Sequence, residues 1–318
     1  MVPPPSVNTE RRPRALVVGA MILDILAIAS RKAKAEDSTP GQVTTSAGGV
    51  ALNIAEGLAR LSVDTSLVSI VGDDDAARQL LMHCDAAGIN TSPVVRRSGV
   101  RTSSYVSLHD LDGSLLYAVA DAGLIETFSA HLMPSLLELL SDTDVCIIDA
   151  NLPVEFITWL VSNKGNVPLV AEAVSINKCQ KLLSILPSLQ LLKVNCHEAE
   201  ALANLDSGAD LHQIAESLLS CGLENVLITL GAAGAMLATM QGSRLHTHYC
   251  EAPEVDIKSV NGAGDAFLAG LLSADLHGED AAEQLRWGRV AAGSSLGVNS
   301  ACSPDINLGS MEPIKSNE

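Results

Sequence analysis

The chain is short of aromatic residues and of cations. Its 318 residues include two Trp, three Tyr and three Phe, and 20 Lys and Arg stand against 37 Asp and Glu, for a formal net charge of −17. So acidic a chain, with no run of aromatic platforms, excludes broad-surface binding of nucleic acid. It does not exclude a nucleotide, because backbone N–H groups and a metal ion neutralise phosphates locally. No apolar run reaches the length of a membrane span, so no membrane partner is expected. The first fourteen residues carry three consecutive prolines and three arginines, without the apolar stretch of a secretory signal. Residues 1–14 therefore read as a loose tail and the protein as cytoplasmic, with an organellar address left open. The seven cysteines (84, 146, 179, 196, 221, 250 and 302) include no C-x-x-C pair. They read as reduced thiols, mostly core filler, and none sits in a nucleophile motif.

What the chain does have is apolar material, 47% of its residues, enough for a sizeable core. Short apolar runs at 15–20, 66–71, 145–149, 168–173, 189–195 and 226–231 each end near a polar residue or glycine. Segments of helical period lie between them, such as Ile54, Leu58 and Leu61, or Leu211, Ile214 and Leu218. This alternation predicts an α/β fold, a mostly parallel sheet flanked by helices on both faces. Ligands in such folds sit beyond the carboxyl ends of the strands, where Asp149, Asn195 and Gly231 fall. Two stretches break the pattern. Runs at 103–108 and 114–120 flank the turn signal Asp112-Gly113, and 21–30 with 42–45 also look extended. These predict either a small separate sheet or an extra antiparallel edge. One unit over 15–310 is expected, with a second tail at 311–318.

The strongest local signal is Val260-Asn261-Gly262-Ala263-Gly264-Asp265, which leads into a helix pattern carried by Phe267, Leu271 and Ala274. Gly262 and Gly264 lack a Cβ, so a phosphate can approach the backbone, and the first N–H groups of the helix then point at it. A carboxylate at that turn opposes phosphate binding unless it removes a proton from an attacking hydroxyl. The segment alone leaves open that Asp265 is an ordinary first-turn acid beside a tight turn.

Other signals are weaker singly. Gly48-Gly49 precedes a helix that carries Asn53, whose amide both donates and accepts, as a sugar diol requires. Asp24, after the first strand, can accept two hydroxyl protons. Asn195 and Glu198 are spaced to share the first turn of a helix, where they can hold Mg2+ through its waters; a helix cap explains them equally well. Thr229, Gly231 and Gly234 lie in a glycine-rich turn between two strands, suited to a nucleotide or to a plain hairpin.

Taken in order, Gly48-Gly49 with Asn53, then Asn195 with Glu198, the Thr229–Gly234 turn and Gly262-Ala263-Gly264-Asp265 resemble the ribokinase-like (phosphofructokinase-B) family of carbohydrate kinases. The resemblance runs over residues 15–307. It implies a Rossmann-like domain with a small β-sheet lid, whose strands fall within 21–45 and 103–120, and an ATP-dependent kinase. It further implies Asp265 as base with the Gly262, Ala263 and Gly264 amides as anion hole, and Asp24, Gly48, Gly49, Asn53 and Asn151 against the sugar. Asn195, Thr229, Gly231, Gly234, Asn261 and Asn299 would meet ATP, with Asn195 and Glu198 positioning Mg2+. Asn299 and Ser303 lie where such kinases build a cation or adenine loop, which leaves a K+ requirement open. A homodimer through the lid follows by analogy. The segments 117–121, 149–153, 172–178 and 259–262 resemble the pseudouridine kinase subgroup, which implies the 5′-hydroxyl of pseudouridine as acceptor. Ile22 departs from that subgroup, where Asn is common, as do Ala173 (Pro) and Asn261 (Thr). The alternatives are another ribosyl, sugar or purine nucleoside kinase, or a catalytically silent scaffold.

Overall fold

The computed structural model of the protein describes residues 11–34 and 36–312. In chain order the first half runs β1 (Arg14–Val18), β2 (Ile22–Ala29), β3 (Gly41–Gly48), α1 (Val50–Arg60), β4 (Asp64–Val68), β5 (Ile70–Val71), α2 (Asp75–Ala86), β6 (Val95–Arg96), β7 (Ser104–His109), β8 (Leu115–Asp121) and α3 (Leu136–Ser141). The second half runs β9 (Val145–Asp149), α4 (Val154–Asn163), β10 (Leu169–Glu172), α5 (Ile176–Cys179), β11 (Leu191–Asn195), α6 (Cys196–Ala203), α7 (Leu211–Ser220), β12 (Asn225–Thr229), β13 (Ala235–Gln241), β14 (Arg244–Cys250), α8 (Ala263–Leu276) and α9 (Ala281–Leu296).

Eight strands form the central sheet in the order β14-β13-β12-β11-β10-β9-β1-β4. From β12 to β4 the neighbours are parallel, and β13 and β14 add an antiparallel edge. Period-two alternation divides the apolar side chains between two cores. Leu16, Val18, Cys146 and Ile148 face a core built with α3, α4, α6 and α7. Ala15, Val17, Val145 and Ile147 face a core built with α1, α2, α8 and α9. Both faces of the sheet are thus covered, which is why its strands read as continuous apolar runs. The chain leaves β1 towards β4 on one side and resumes at β9 on the other. That strand-order reversal opens a crevice at the carboxyl ends of β1 and β9, the usual ligand position in open α/β sheets.

The two irregular stretches form a separate sheet, β3-β2-β7-β8. Asp112 turns the β7–β8 hairpin by accepting from the backbone N–H and Oγ of Ser114, with Gly113 at φ 81°. Pairing places Asp24, Ser46, Tyr105 and Ala120 on one face of this sheet, and Ile25, Val43, Val106, Leu108, Tyr117 and Val119 on the other.

Several boundaries differ from expectation. The run at 66–71 is two strands, β4 pairing with β1 and β5 pairing with β6. Strands β13 and β14 form a hairpin across the two-residue turn Gly242-Ser243, with Gly242 at φ 64°, which the sequence reading did not single out. Arg14 already lies in β1, and its neighbour Arg11 pairs with Asp144, so ordered structure begins inside the stretch expected as a tail; residues 1–10 lie outside the described residues. At the other end Met311 is buried with Trp287 and Ile306, and its carbonyl accepts from Arg286; residues 313–318 lie outside the described residues. All seven cysteines are free, and burial pushes the thiols of Cys84, Cys146 and Cys302 up to about 12, far from the reactive range. Among the described residues, no helix is long and apolar enough to cross a membrane.

Candidate active site

Helices α2, α5, α6, α7 and α9 begin on a Ser, Asp or Asn whose side chain caps the first turn. Helices α1 and α8 instead begin on Gly49 and Gly262, at φ 102° and 76°, with no side-chain cap. An uncapped helix start leaves N–H donors and the positive end of the helix dipole facing outwards. Both starts lie on the same side of the sheet, and Asn53 of α1 donates from Nδ2 to Oδ2 of Asp265 in α8 at 2.8 Å. The glycines are required by close approach. A Cβ on Gly49 would stand 2.4 Å from the Ala20 carbonyl oxygen, and one on Gly262 2.3 Å from that of Ala301.

Asp265 is buried on α8, a helix whose residues Asp265–Ala274 are all buried. Burial, then the neighbouring Glu172 carboxylate, push its carboxyl up to about 7, against the lowering effect of Lys193 and the Asn53 hydrogen bond. A carboxyl so placed sits where a general base is most useful.

Beneath Asp265 lie three charged residues that motif reading left unassigned. Glu172 ends β10 and is in register with Lys193 of β11, and Lys193 Nζ donates to Glu172 Oε1 at 2.5 Å with both side chains buried. Glu172 Oε2 accepts from the N–H of Val174, a β-branched residue held at φ 66°. Backbone strain of this kind marks functional segments. Burial opposes the charge of Lys193, but Glu172 and then Asp265 more than offset it, so its pKa lies above the ordinary lysine value. Asp149, fully buried at the end of β9, accepts from Ala20 and Ala51 through Oδ2 and from Asn151 through Oδ1. It ties together the ends of β1 and β9 and the start of α1. Burial pushes its carboxyl up to about 6 in spite of those bonds. A sequence signal existed for all three, because each is a charged residue at an inward position near the end of an otherwise apolar parallel strand.

The glycine of the turn has a further reason. A Cβ on Gly264 would meet Lys193 Nζ at 2.8 Å. The missing Cβ at Gly264 thus also makes room for the Lys193 ammonium.

The remaining expected residues fall as follows. Asp24 sits on the small sheet against Gly48, whose missing Cβ makes room for its carboxylate (2.1 Å to Oδ2), and burial pushes its pKa up to about 6. Asn151 is buried, accepts from Lys178 Nζ through Oδ1 at 2.6 Å, and its side chain also favours the charged form of Asp149. Asn195 and Glu198 form a reciprocal cap, Asn195 Oδ1 accepting from Glu198 N–H and Glu198 Oε2 from Asn195 N–H. Burial raises the Glu198 pKa. Asn195 is in register with Thr229, which ends β12. Gly231 opens to free space, whereas a Cβ on Gly234 would lie 2.0 Å from the Cys250 carbonyl oxygen, so Gly234 serves the packing of β13 against β14. Asn261 and Asn299 are exposed, and the loop after Asn299 reaches the α8 turn through Ala301. His197 is exposed beside Glu200.

The fit of Mg2+ follows from the cap. Among the described residues no three or more His, Cys, Asp or Glu side chains gather as a metal cage. Glu198 Oε1 is the carboxylate oxygen outside the cap, and one such oxygen suits a hydrated Mg2+ that takes its other ligands from water and phosphates.

The chain is similar to known proteins along nearly its whole length. The profile of the pfkB family carbohydrate kinase spans residues 12–307. The pseudouridine kinase of Escherichia coli (strain K12) is 28% identical over 304 residues, 95% of this chain and 96% of that protein. A carbohydrate kinase from Agrobacterium tumefaciens superposes with a TM-score of 0.80 at 27% identity, covering 94% of this chain and 95% of that one. Arabidopsis thaliana ribokinase, solved with ribose and ATP, superposes with a TM-score of 0.82 over 95% of this chain and 98% of that one; at 22% identity it shows the shared fold.

Proposed function

The chain belongs to the pfkB family of carbohydrate kinases, and from that premise we propose that it transfers the γ-phosphoryl group of ATP to the 5′-hydroxyl of pseudouridine. The observation that carries the phosphoryl-transfer chemistry is the buried Asp265, hydrogen-bonded to Asn53 at the uncapped start of α8. Asp265 takes the proton of the 5′-hydroxyl as that oxygen attacks phosphorus. The amides of the Gly262–Asp265 turn hold the charge on the phosphoryl oxygens, and ADP leaves. Asp24, Gly49 and Asn53 hold the ribosyl hydroxyls, with Asn151 against the same ligand. Asn195 and Glu198 position Mg2+, which when bound neutralises charge on the nucleotide phosphates.

The choice of nucleoside rests on observations separate from those for the chemistry. It is supported by the likeness to the E. coli enzyme and by the segments around Asp121, Asn151 and Lys178. A second reading, a different sugar or nucleoside acceptor, is favoured by Ile22, an apolar side chain paired with Gly48 beside Asp24, at a position where a polar contact to substrate was expected. Incubating the protein with Mg-ATP and a panel of pseudouridine, uridine, guanosine, inosine, adenosine and ribose decides between them. Pseudouridine is expected to give pseudouridine 5′-phosphate with the highest kcat/KM. Turnover of ribose or a purine nucleoside without pseudouridine would overturn the substrate, and no turnover of any acceptor would favour a silent scaffold.

The lid reading extends to assembly. The face of the small sheet turned away from Asp24 is apolar and open, with Val43, Tyr117 and Val119 about two-thirds or more exposed. Such a patch suits a self-complementary two-fold contact with a second copy.

A further inference from the structure

Lys193 is the one lysine or arginine that is buried among the described residues. An ammonium carries three N–H donors, and Glu172 Oε1 is the one hydrogen-bond partner recorded for it there. A buried charge with unused donors is costly unless a ligand completes it. Alternation along β11 puts Leu191 in the core beneath α1 and α8, and Lys193, two residues on, shares that face. Its Nζ lies where a Cβ of Gly264 would be. The spare N–H groups therefore stand beside the α8 start, whose backbone donors lack a side-chain cap. Two independent donor sets converge on one place, and both suit an anion.

Resting on the reading of the α8 turn as the phosphoryl site, we propose that Lys193 is a further catalytic residue, donating through its two remaining N–H groups to oxygens of the phosphoryl group in transfer, with Glu172 as the positioning residue that aims it. During the reaction the bond from the acceptor oxygen to phosphorus forms, the bond from phosphorus to the ADP oxygen breaks, and the hydroxyl proton passes to Asp265. Lys193 keeps its protons throughout. Its contact tightens as charge spreads over the oxygens of the moving group, where a fixed, pre-aimed donor is most effective. The pair with Glu172 holds a flexible side chain in one rotamer, so little is lost in ordering it at the moment of transfer.

The test uses the full chain with Lys193→Met and, because that change orphans a buried carboxylate, also the double variant Glu172→Gln/Lys193→Met. Circular dichroism and thermal unfolding report folding. Kinetics report kcat and KM with the best acceptor of the panel, and calorimetry reports ATP and ADP affinity. Expected is a loss of about 10²–10³-fold in kcat, with acceptor KM and ADP affinity unchanged and the preference for ATP over ADP lost. A folded double variant with near wild-type kcat, or one that loses ATP and ADP affinity equally, overturns the proposal and leaves Lys193 a structural counter-ion. Asp265→Asn separates the two readings. If it is inactive while the lysine variants are active, the lysine role fails and the proposed function stands. If all of them turn over normally, the phosphoryl-site reading itself fails.

Discussion

Replacing Asp265 by asparagine is expected to stop catalysis and, at alkaline pH, to make the fold more stable. In the folded chain burial and Glu172 push this carboxyl from an ordinary 3.8 up to about 7. Between those values the folded state holds a proton that the unfolded chain has lost, so stability falls as pH rises. The stabilising contribution is fully present below about pH 4 and is gone above about pH 7. A rise of about three pKa units at about 1.36 kcal/mol each gives a burden of about 4 kcal/mol at pH 8. The amide substitution removes that burden while its oxygen still accepts from Asn53 Nδ2, although Lys193 loses one counter-charge. The pH dependence of the difference between the two proteins isolates the carboxyl. At about 2 °C per kcal/mol for a chain of this size, the variant should gain several degrees in Tm over the wild type between pH 5 and pH 8. Thermal unfolding at pH 5, 6, 7 and 8 measures it, and kcat should drop by about 10²–10⁴-fold, the usual worth of a general base. A pH-independent Tm difference would refute the buried-carboxylate argument, and retained turnover would refute the base.

Other outcomes follow from the same geometry. In the wild type, kcat/KM should fall with a single-proton slope as pH is lowered through about 7, because Asp265 must be ionised to act; a flat profile from pH 6 to 8 counts against it. Asp24→Asn should raise acceptor KM by about 10-fold or more, the worth of a charge-assisted hydrogen bond, and unchanged KM would remove Asp24 from the sugar site. Gly49→Ala, at φ 102° and with a Cβ 2.4 Å from the Ala20 carbonyl oxygen, should destabilise by at least about 1–3 kcal/mol in urea unfolding. Tyr117→Asp with Val119→Asp should convert a dimer to a monomer in light scattering with activity intact, and an already monomeric wild type would dispose of the lid contact.

How far the sequence reaches depends on whether the signal is local. Strand β9 was legible to the residue, because four consecutive apolar residues closed by Asp149 have no other reading between two loops. The Gly48-Gly49 and Gly262–Asp265 turns were legible for a similar reason, since backbone conformation and close approach admit little besides glycine. The Asn195–Glu198 pair was read in two ways, and the structure builds the cap while leaving one carboxylate oxygen outside it. Gly234 shows the opposite case. Its glycine signal was plain, but the contact that requires it is with Cys250 at the far end of β14, which only the formed hairpin brings beside it.

By itself, then, the sequence determined the alternation of strands and helices, the glycine turns and the candidate base, because each is written in a run of neighbouring residues. Only the tertiary structure decided what surrounds that base. Glu172, Lys193 and Gly264 lie on three different elements, and they meet because β10 and β11 pair in register and α8 packs across them. Charge pairing in a dry interior depends on distance, and distances between separate elements exist only once the sheet has formed.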